Sequence, residues 1–217
     1  MTDDREKIFA SIRRGLRGAE KSAALRSAAS PLTSMIQHGF ESLFIKFKRE
    51  LEILGGLAET VENERDVSAF ITDHTEPASS LFIYDDLANS LKSIVESLSV
   101  NRRLRFGSEF AAGYDKREVA AFDAALTGCA ACVAETGTVL IQTDMRLPAA
   151  LAPKLFVIVE RSRLIASLDE VFTDRFGNSD ASNLFLITGP SRTADIEKQL
   201  VKGVHGPKEV IVLFLNQ

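Results

Sequence analysis

The chain has 217 residues, 45% of them hydrophobic, with 26 basic and 30 acidic side chains. This length supports one sizeable core and is short for two full domains. The mild charge balance, without a long basic block or interleaved basic and aromatic residues, argues against a nucleic-acid partner.

Neither a membrane span nor a secretion signal is evident in the sequence. No stretch approaches the roughly 18 consecutive apolar residues that a span needs. The opening residues MTDDREKIF lack the apolar core of a secretion signal. The sequence therefore predicts a cytoplasmic protein with no membrane partner.

Cysteine and histidine are scarce and give no metal site. Cys129 and Cys132 form the sequence CAAC, and two thiolates cannot supply the four ligands that an iron–sulfur cluster or a closed zinc site usually takes. A redox CxxC normally opens a helix after a strand, whereas this pair precedes an apparent strand turn, which favours buried small residues. His38 and His74 have no partners at ligand spacing, and His205 is interpreted as holding its own loop. We expect no cofactor.

Residues 1–30 are predicted to form an N-terminal helix and a linker. Ile8, Ile12 and Leu16 fall on one stripe of the helix, and the Ala/Ser-rich stretch that follows ends at Pro31. The stripe could dock on a partner or a second subunit, although a loosely packed terminal helix is the simpler interpretation. Residues 31–217 are then expected to form one domain.

The first half of that domain alternates helices and strands. Apolar spacing predicts a helix over residues 36–54, stopped by the glycines at 55 and 56. The run LFIY at 81–84 predicts a strand, Asp85 and Asp86 can cap a following helix that reaches Leu98, and a short strand is expected at 104–106. This alternation predicts an α/β fold with a mostly parallel sheet covered by helices.

The second half predicts a hairpin and a buried strand. CVAETGTVLIQTD, at 132–144, is interpreted as two strands joined at a tight turn over residues 135–137. LFVIV, at 155–159, has the continuous apolar character of a buried parallel strand. Ser167 and Glu170 match a capping box, which predicts that a helix starts there.

The chain closes with a predicted βαβ unit. It consists of a strand at 184–188, a loop from Gly189 to Thr193, a helix carrying Ile196 and Leu200, and the apolar strand VIVLFL at 210–215.

The loop of this unit is a candidate anion site, because ligands bind where the carboxyl end of a parallel strand meets a helix N-terminus. Gly189 would let the backbone approach a ligand, and Ser191 or Thr193 could cap the helix while other amides stay free. Arg192 has the planar fork that suits a carboxylate or a phosphate. The alternative is that the hydroxyls only cap the helix and Arg192 is solvated. The loop matches neither a P-loop nor a GxGxxG fingerprint.

Glu135 is the candidate catalytic residue. On the turn AETGT it could act as a nucleophile or a general base, with Thr136 and Gly137 beside the ligand. Its alternative role is to accept hydrogen bonds from its own turn. Arg146 and Lys154 could place positive charge near Glu135 or could be surface charges. No Ser-His-Asp order or nucleophile elbow indicates a hydrolase.

Three strings then resemble a known family: AETGTVL at 134–140, SLDE at 167–170, and ITGPSRTADIE at 187–197 with LVKGVHGP at 200–207. They are similar to the LUD domain of lactate utilization protein C, and the resemblance runs from about Asp123 to the C-terminus. It implies the fold type shared by ribose-phosphate isomerase, glucosamine-phosphate deaminase and the CoA transferases.

The chain departs from the family pattern at two places. Lys154 stands where many members have a histidine, which removes any role assigned to that histidine. The CAAC pair is not part of the pattern either, and this strengthens its interpretation as core packing.

The resemblance implies a place in a three-protein system that oxidises L-lactate to pyruvate, in which the other two members carry the iron–sulfur clusters. The leading hypothesis is a non-redox subunit that binds a small carboxylate or phosphorylated ligand. The residues expected to line its pocket are Glu135, Arg146, Ser191, Arg192 and Thr193. One rival is a free-standing enzyme of the same fold, either an acyl-CoA transferase with Glu135 as nucleophile or a sugar-phosphate isomerase. Another is an assembly scaffold, and a homo-oligomer is left open.

Overall fold

The computed structural model describes residues 39–85, 91–100, 102–110, 121–143, 152–172, 183–196, 199–202 and 206–216, together with Leu87 and Glu118. Of residues 172, 193–196 and 199–202 it describes the backbone alone. The predicted N-terminal helix and linker, residues 1–30, lie outside the described residues.

Helices form where apolar side chains recur at helical spacing. The described helices are α1 (Phe40–Ile53), α2 (Glu64–Asp73) and α3 (Lys92–Ser99). The predicted helix α1 is confirmed, and it ends where Gly55 adopts a φ of 86°. The sequence did not predict α2, which begins because the Asn63 side chain accepts hydrogen bonds from the backbone N–H groups of Arg65 and Asp66. None of the described helices is long and apolar enough to cross a membrane.

The strands, in chain order, are β1 (Leu57–Val61), β2 (Ser80–Ile83), β3 (Arg103–Phe106), β4 (Ala124–Thr127), β5 (Ala131–Val133), β6 (Thr138–Thr143), β7 (Lys154–Glu160), β8 (Leu164–Ile165), β9 (Asn183–Ile187), β10 (Arg192–Ile196), β11 (Gln199–Lys202) and β12 (Glu209–Leu215).

Six of these strands form the central sheet, in the order β1-β12-β7-β4-β2-β3. Every neighbouring pair in it is parallel. β7 and β12 pair along their whole length, from Lys154 opposite Glu209 to Glu160 opposite Leu215. The predicted α/β fold with a mostly parallel sheet is confirmed, and so are both buried strands that the apolar runs predicted.

A second sheet of four strands has the order β8-β5-β6-β9. β5 and β6 form the predicted hairpin around residues 134–137. Where a helix was predicted to start at Ser167, the structure has a 3-10 turn over Leu168–Phe172.

The predicted βαβ unit at the end of the chain is wrong. β9 runs antiparallel to β6 in the second sheet, and β10 and β11 pair with each other as an antiparallel hairpin where a helix was predicted. Exposed Leu184 and Leu186 alternate with half-buried neighbours, as in a strand covered on one face. The spacing of Ile196 and Leu200 fits a helix, but several β-branched residues in this segment favour strands.

Apolar side chains fill both faces of the central sheet. On one face Phe47 of α1, Cys132 of β5 and Phe214 of β12 belong to one buried cluster, which packs α1 and the second sheet against the central sheet. On the other face a second cluster includes Ile71 of α2 and Ile94 of α3. Burying each such side chain contributes about 1.5–3 kcal/mol. Helices α2 and α3 thus cover one face, and the second sheet shares the other with α1.

Candidate functional site

The order in which the chain adds strands to the central sheet reverses between the neighbouring strands β2 and β4. After β2 the chain enters the face covered by α2 and α3, where Ile94 and Leu98 are buried. After β4 it enters the opposite face, where Cys132 is buried. In open α/β sheets such a reversal leaves a crevice at the carboxyl ends of the strands, and ligands bind there.

A cavity of about 390 Å³ lies at this edge, and we call it the carboxyl-edge cavity. Its lining includes Gly128, Cys129 and Ala130 after β4, Glu160 at the end of β7, Arg163 after it, and Gln142 on β6. Arg163 Nη1 lies 3.5 Å from the carbonyl oxygen of Ala130, and Ser162 Oγ donates to Glu160 Oε2 at 3.2 Å. The cavity therefore has a guanidinium and a carboxylate on its walls.

The sequence patterns did not indicate this cavity. The available signal was the run AALT at 124–127 followed by Gly128, which has the pattern of a buried strand that ends at a glycine.

The two cysteines border the cavity and the core. Cys132 is fully buried between the two sheets, which confirms that it packs in the core, whereas Cys129 is half-buried and lines the cavity. Their sulfur atoms are 3.7 Å apart. Burial, together with the Cys129 thiol, raises the pKa of Cys132 well above its ordinary value.

Two loops that carry part of the family resemblance meet at the end of α1, and we call them the amino-edge loops. The first is the hairpin turn over residues 135–137, and the second is the loop that starts at Gly189. A Cβ on Gly137, which has a φ of 64°, would lie 2.5 Å from the backbone nitrogen of Leu51. A Cβ on Gly189, which has a φ of 97°, would lie 2.9 Å from Leu54 Cβ. Both positions need glycine for its backbone conformation and for the close approach.

A chain of hydroxyls joins these two loops. Thr136 Oγ1 lies 2.7 Å from Thr138 Oγ1, which lies 2.8 Å from Thr188 Oγ1. The two loops, which were expected to share a pocket, therefore lie next to each other, and the shared pocket stays a prediction. However, α1 leads directly into the amino end of β1, so the loops meet at the amino edge of the central sheet. The predicted setting at the carboxyl end of a parallel strand and a helix N-terminus is wrong, because β9 is antiparallel and leads into a strand.

Glu135 forms a hydrogen bond to the 3-10 turn that starts at Leu168. Its Oε1 accepts a hydrogen bond of 2.6 Å from the backbone N–H of Leu168, at the start of the 3-10 turn. Glu170 Oε1 accepts from the backbone N–H groups of Ala166 and Ser167, as in one half of the predicted capping box. The other half is missing, because Ser167 Oγ is buried without a hydrogen-bond partner among the described residues. A catalytic role for Glu135 stays a prediction.

Arg192 and Ser191 tie the second loop to its surroundings. Arg192 Nη2 donates to the carbonyl oxygen of Leu54, so the guanidinium satisfies a terminal carbonyl of α1 and complements the helix dipole. The backbone N–H of Ser191 donates to the carbonyl oxygen of Pro207 at 2.8 Å. Arg146, His205 and the side chain of Thr193 lie outside the described residues. Ligand binding by this loop stays a prediction.

A second cavity, of about 580 Å³, lies at the amino edge and includes His74, Ser79, Asp123 and Lys154 in its lining. Lys154 Nζ donates to the carbonyl oxygen of His74 at 2.6 Å and lies 3.3 Å from Glu209 Oε2. The lysine therefore links α2 to the start of β12. Within the described part of the chain, no three His, Cys, Asp or Glu side chains are grouped so that they could hold a metal ion.

The architecture defines an α/β protein with an open parallel sheet and an antiparallel sheet on one of its faces. The LUD domain family model matches residues 46–215, and the chain belongs to this family. A solved structure of a DUF162 family protein from Deinococcus radiodurans covers 82% of this chain and 99% of its own, with a TM-score of 0.61. At 17% identity that likeness supports the fold alone.

Curated relatives match part of the chain. A lactate utilization protein C of Deinococcus radiodurans is 34% identical over 99 residues, which cover 43% of this chain and 47% of the relative. The protein of the same name from Macrococcus caseolyticus is 33% identical over 94 residues, 39% of this chain and 40% of the relative. An uncharacterized protein of Neisseria meningitidis is 31% identical over 98 residues, 43% of this chain and 42% of the relative. The chain spans less than half the length of the curated relatives it matches.

Proposed function

We propose that this chain is a non-redox, ligand-binding subunit of a lactate utilization system that oxidises L-lactate to pyruvate. Membership of the LUD domain family and the name of the curated relatives support the pathway. The two cysteines in the sequence are too few to hold an iron–sulfur cluster by themselves. Iron–sulfur partner subunits would therefore transfer the electrons, and this chain would act in the cytoplasm beside them.

The observation that carries the ligand-binding role is the carboxyl-edge cavity at the reversal between β2 and β4. Its volume of about 390 Å³ is in the range of small-molecule sites. Arg163 directs one N–H group toward Ala130 and has further donors for a carboxylate or a phosphate.

The charges of the cavity suit a small 2-hydroxy acid. Arg163 would pair with the carboxylate of such a ligand, while the Glu160 carboxylate, which accepts from Ser162, would accept a hydrogen bond from the ligand hydroxyl. L-lactate has both groups, which supports a site for the substrate of the pathway.

The amino-edge loops are the other candidate site. There the described polar groups of Glu135 and Arg192 form hydrogen bonds to the backbone. A CoA transferase that used Glu135 as its nucleophile would have to break the bond to Leu168 or attack with the other oxygen. An N–H group of Arg163 faces a backbone carbonyl in the same way, so the cavity volume carries the preference for the carboxyl-edge site.

Binding and growth measurements test the proposal. We expect Arg163→Ala to weaken the binding of L-lactate to the purified chain at least about tenfold by calorimetry, since a charge-assisted hydrogen bond is lost. The same variant should slow growth on L-lactate in a strain that lacks the native gene. Arg65→Ala, which removes an exposed arginine on α2, is the matched control and should behave as wild type.

Two results would contradict different parts of the proposal. Normal binding in Arg163→Ala with loss of binding in Arg192→Ala would place the ligand at the amino edge. Undiminished growth on L-lactate in the deletion strain without any copy of this chain would exclude a role in lactate utilization.

A further inference from the structure

The CAAC segment places two thiols in contact between the carboxyl-edge cavity and the core. Cys129 lines the cavity and is half-buried, whereas Cys132 is fully buried on β5. The sulfur atoms are 3.7 Å apart. One thiol can therefore be reached from the cavity, and the other lies directly behind it.

This geometry is close to that of a bonded pair. A disulfide has an S–S distance of about 2.05 Å, so the two sulfur atoms need to approach by about 1.7 Å. Cys129 lies in the loop between β4 and β5 and follows Gly128, whereas Cys132 is fixed by pairing with Val139 and Leu164. A rotation of the Cys129 side chain, with a small loop shift, would close the gap.

We propose that Cys129 and Cys132 form a reversible disulfide when a peroxide enters the carboxyl-edge cavity. The Cys129 thiolate attacks one peroxide oxygen, the O–O bond breaks, and water leaves, so that Cys129 becomes a sulfenic acid. The Cys132 sulfur then attacks the Cys129 sulfur, the S–O bond breaks, and a second water leaves. Two thiols are oxidised to one disulfide, and one hydrogen peroxide is reduced to two waters. A dithiol reductant restores both thiols.

The burial of the two side chains assigns their roles. Cys129 reacts first because the cavity exposes it to a small oxidant. Cys132 is buried and its pKa is raised, so it is not the thiol that attacks the peroxide. It acts in the second step because it lies beside the sulfenic acid, and its proton leaves with the hydroxide as water. Disulfides that form in reducing compartments are usually transient and either catalytic or redox-sensing. The inference requires no ligand and is independent of the proposed function.

Mass spectrometry of the purified full chain tests the inference directly. After treatment with hydrogen peroxide and alkylation under denaturing conditions, we expect the intact mass to fall by two hydrogens and neither cysteine to be alkylated. Treatment with dithiothreitol should return two alkylated cysteines. Two alkylated cysteines after a peroxide dose that fully oxidises free glutathione would overturn the proposal, and so would a sulfinic acid at Cys129 without a disulfide.

Single variants test the order of the two steps. In Cys132→Ala, dimedone should trap a sulfenic acid at Cys129, and in Cys129→Ala it should label little or nothing. Equal labelling of both variants would overturn the assignment of Cys129 as the attacking thiol. If either variant unfolds, the order can be tested on the native wild-type chain instead. The measurement is then the rate at which iodoacetamide labels each cysteine. Cys129 should then react at least about tenfold faster than Cys132.

Discussion

The Glu135 carboxylate accepts a 2.6 Å hydrogen bond from the backbone N–H of Leu168 and so joins the hairpin turn of the second sheet to the 3-10 turn over Leu168–Phe172. Glu135→Ala would leave that N–H without its acceptor, and we expect the free energy of unfolding to fall by about 1–2 kcal/mol in urea denaturation. Glu135→Gln keeps an acceptor and should lose less.

The matched control for Glu135 is Asp169→Ala, which removes an exposed carboxylate from the same 3-10 turn. It should change the free energy of unfolding by less than about 0.5 kcal/mol. If Glu135→Gln abolishes growth on L-lactate while its stability equals that of wild type, the residue has a chemical role beyond this hydrogen bond.

Gly137 is the position where the hairpin turn touches helix α1. Gly137→Ala would combine a φ of 64° with a Cβ 2.5 Å from the Leu51 nitrogen. Because the obstacle is helix backbone, it cannot move without moving α1, and we expect a loss on the order of 3 kcal/mol in thermal or urea unfolding. Gly39→Ala, where a Cβ would meet nothing within 4 Å, should cost less than about 1 kcal/mol. Equal losses for the two variants would contradict the close approach.

Thr138 is the middle of the hydroxyl chain between the two amino-edge loops, and it is 4% exposed. Thr138→Val has nearly the same shape but removes the buried hydroxyl that joins Thr136 to Thr188, so we expect the free energy of unfolding to fall by about 0.5–1.5 kcal/mol. A double-mutant cycle with Thr188→Val isolates the contact and should give a coupling energy of about 0.5–1 kcal/mol. Additive effects would show that the two hydroxyls do not interact.

Local apolar patterns were enough to predict one helix and two central strands. Helix α1 followed from its 3.6-residue spacing, and β7 and β12 followed from continuous apolar runs. The run NLFLI of β9 was assigned to the wrong sheet, because an apolar run of five residues fits a buried parallel strand and a one-sided antiparallel strand almost equally. Its actual partner, β6, is set by contacts far away in the sequence.

The candidate site was predictable only in part, because its position also depends on contacts between residues that are far apart in the sequence. The glycines of AETGT and ITGPSR correctly indicated two loops with special backbone conformations. Which edge of the sheet they occupy depends on the direction of β9. The carboxyl-edge cavity depends on the reversal between β2 and β4, which no local pattern encodes.

Glu109 gives the fold an acid-sensitive contact. The hydrogen bond from the backbone N–H of Phe106 holds the pKa of this carboxyl below its ordinary value of 4.5; desolvation opposes this effect and the Arg105 guanidinium adds to it. A depressed pKa in the folded state contributes stability above pH 4.5, and this contribution is lost as the pH falls through the lower folded-state pKa.

Glu109→Gln should therefore be less stable than wild type at pH 7, by less than about 1 kcal/mol because solvent screens the pair. The difference in the free energy of unfolding should shrink toward pH 3. Urea unfolding of both proteins across this range measures it, with Glu96→Gln on the exposed face of α3 as control. A difference that stays constant from pH 7 to pH 3 would mean that the carboxylate charge of Glu109 does not stabilise the fold.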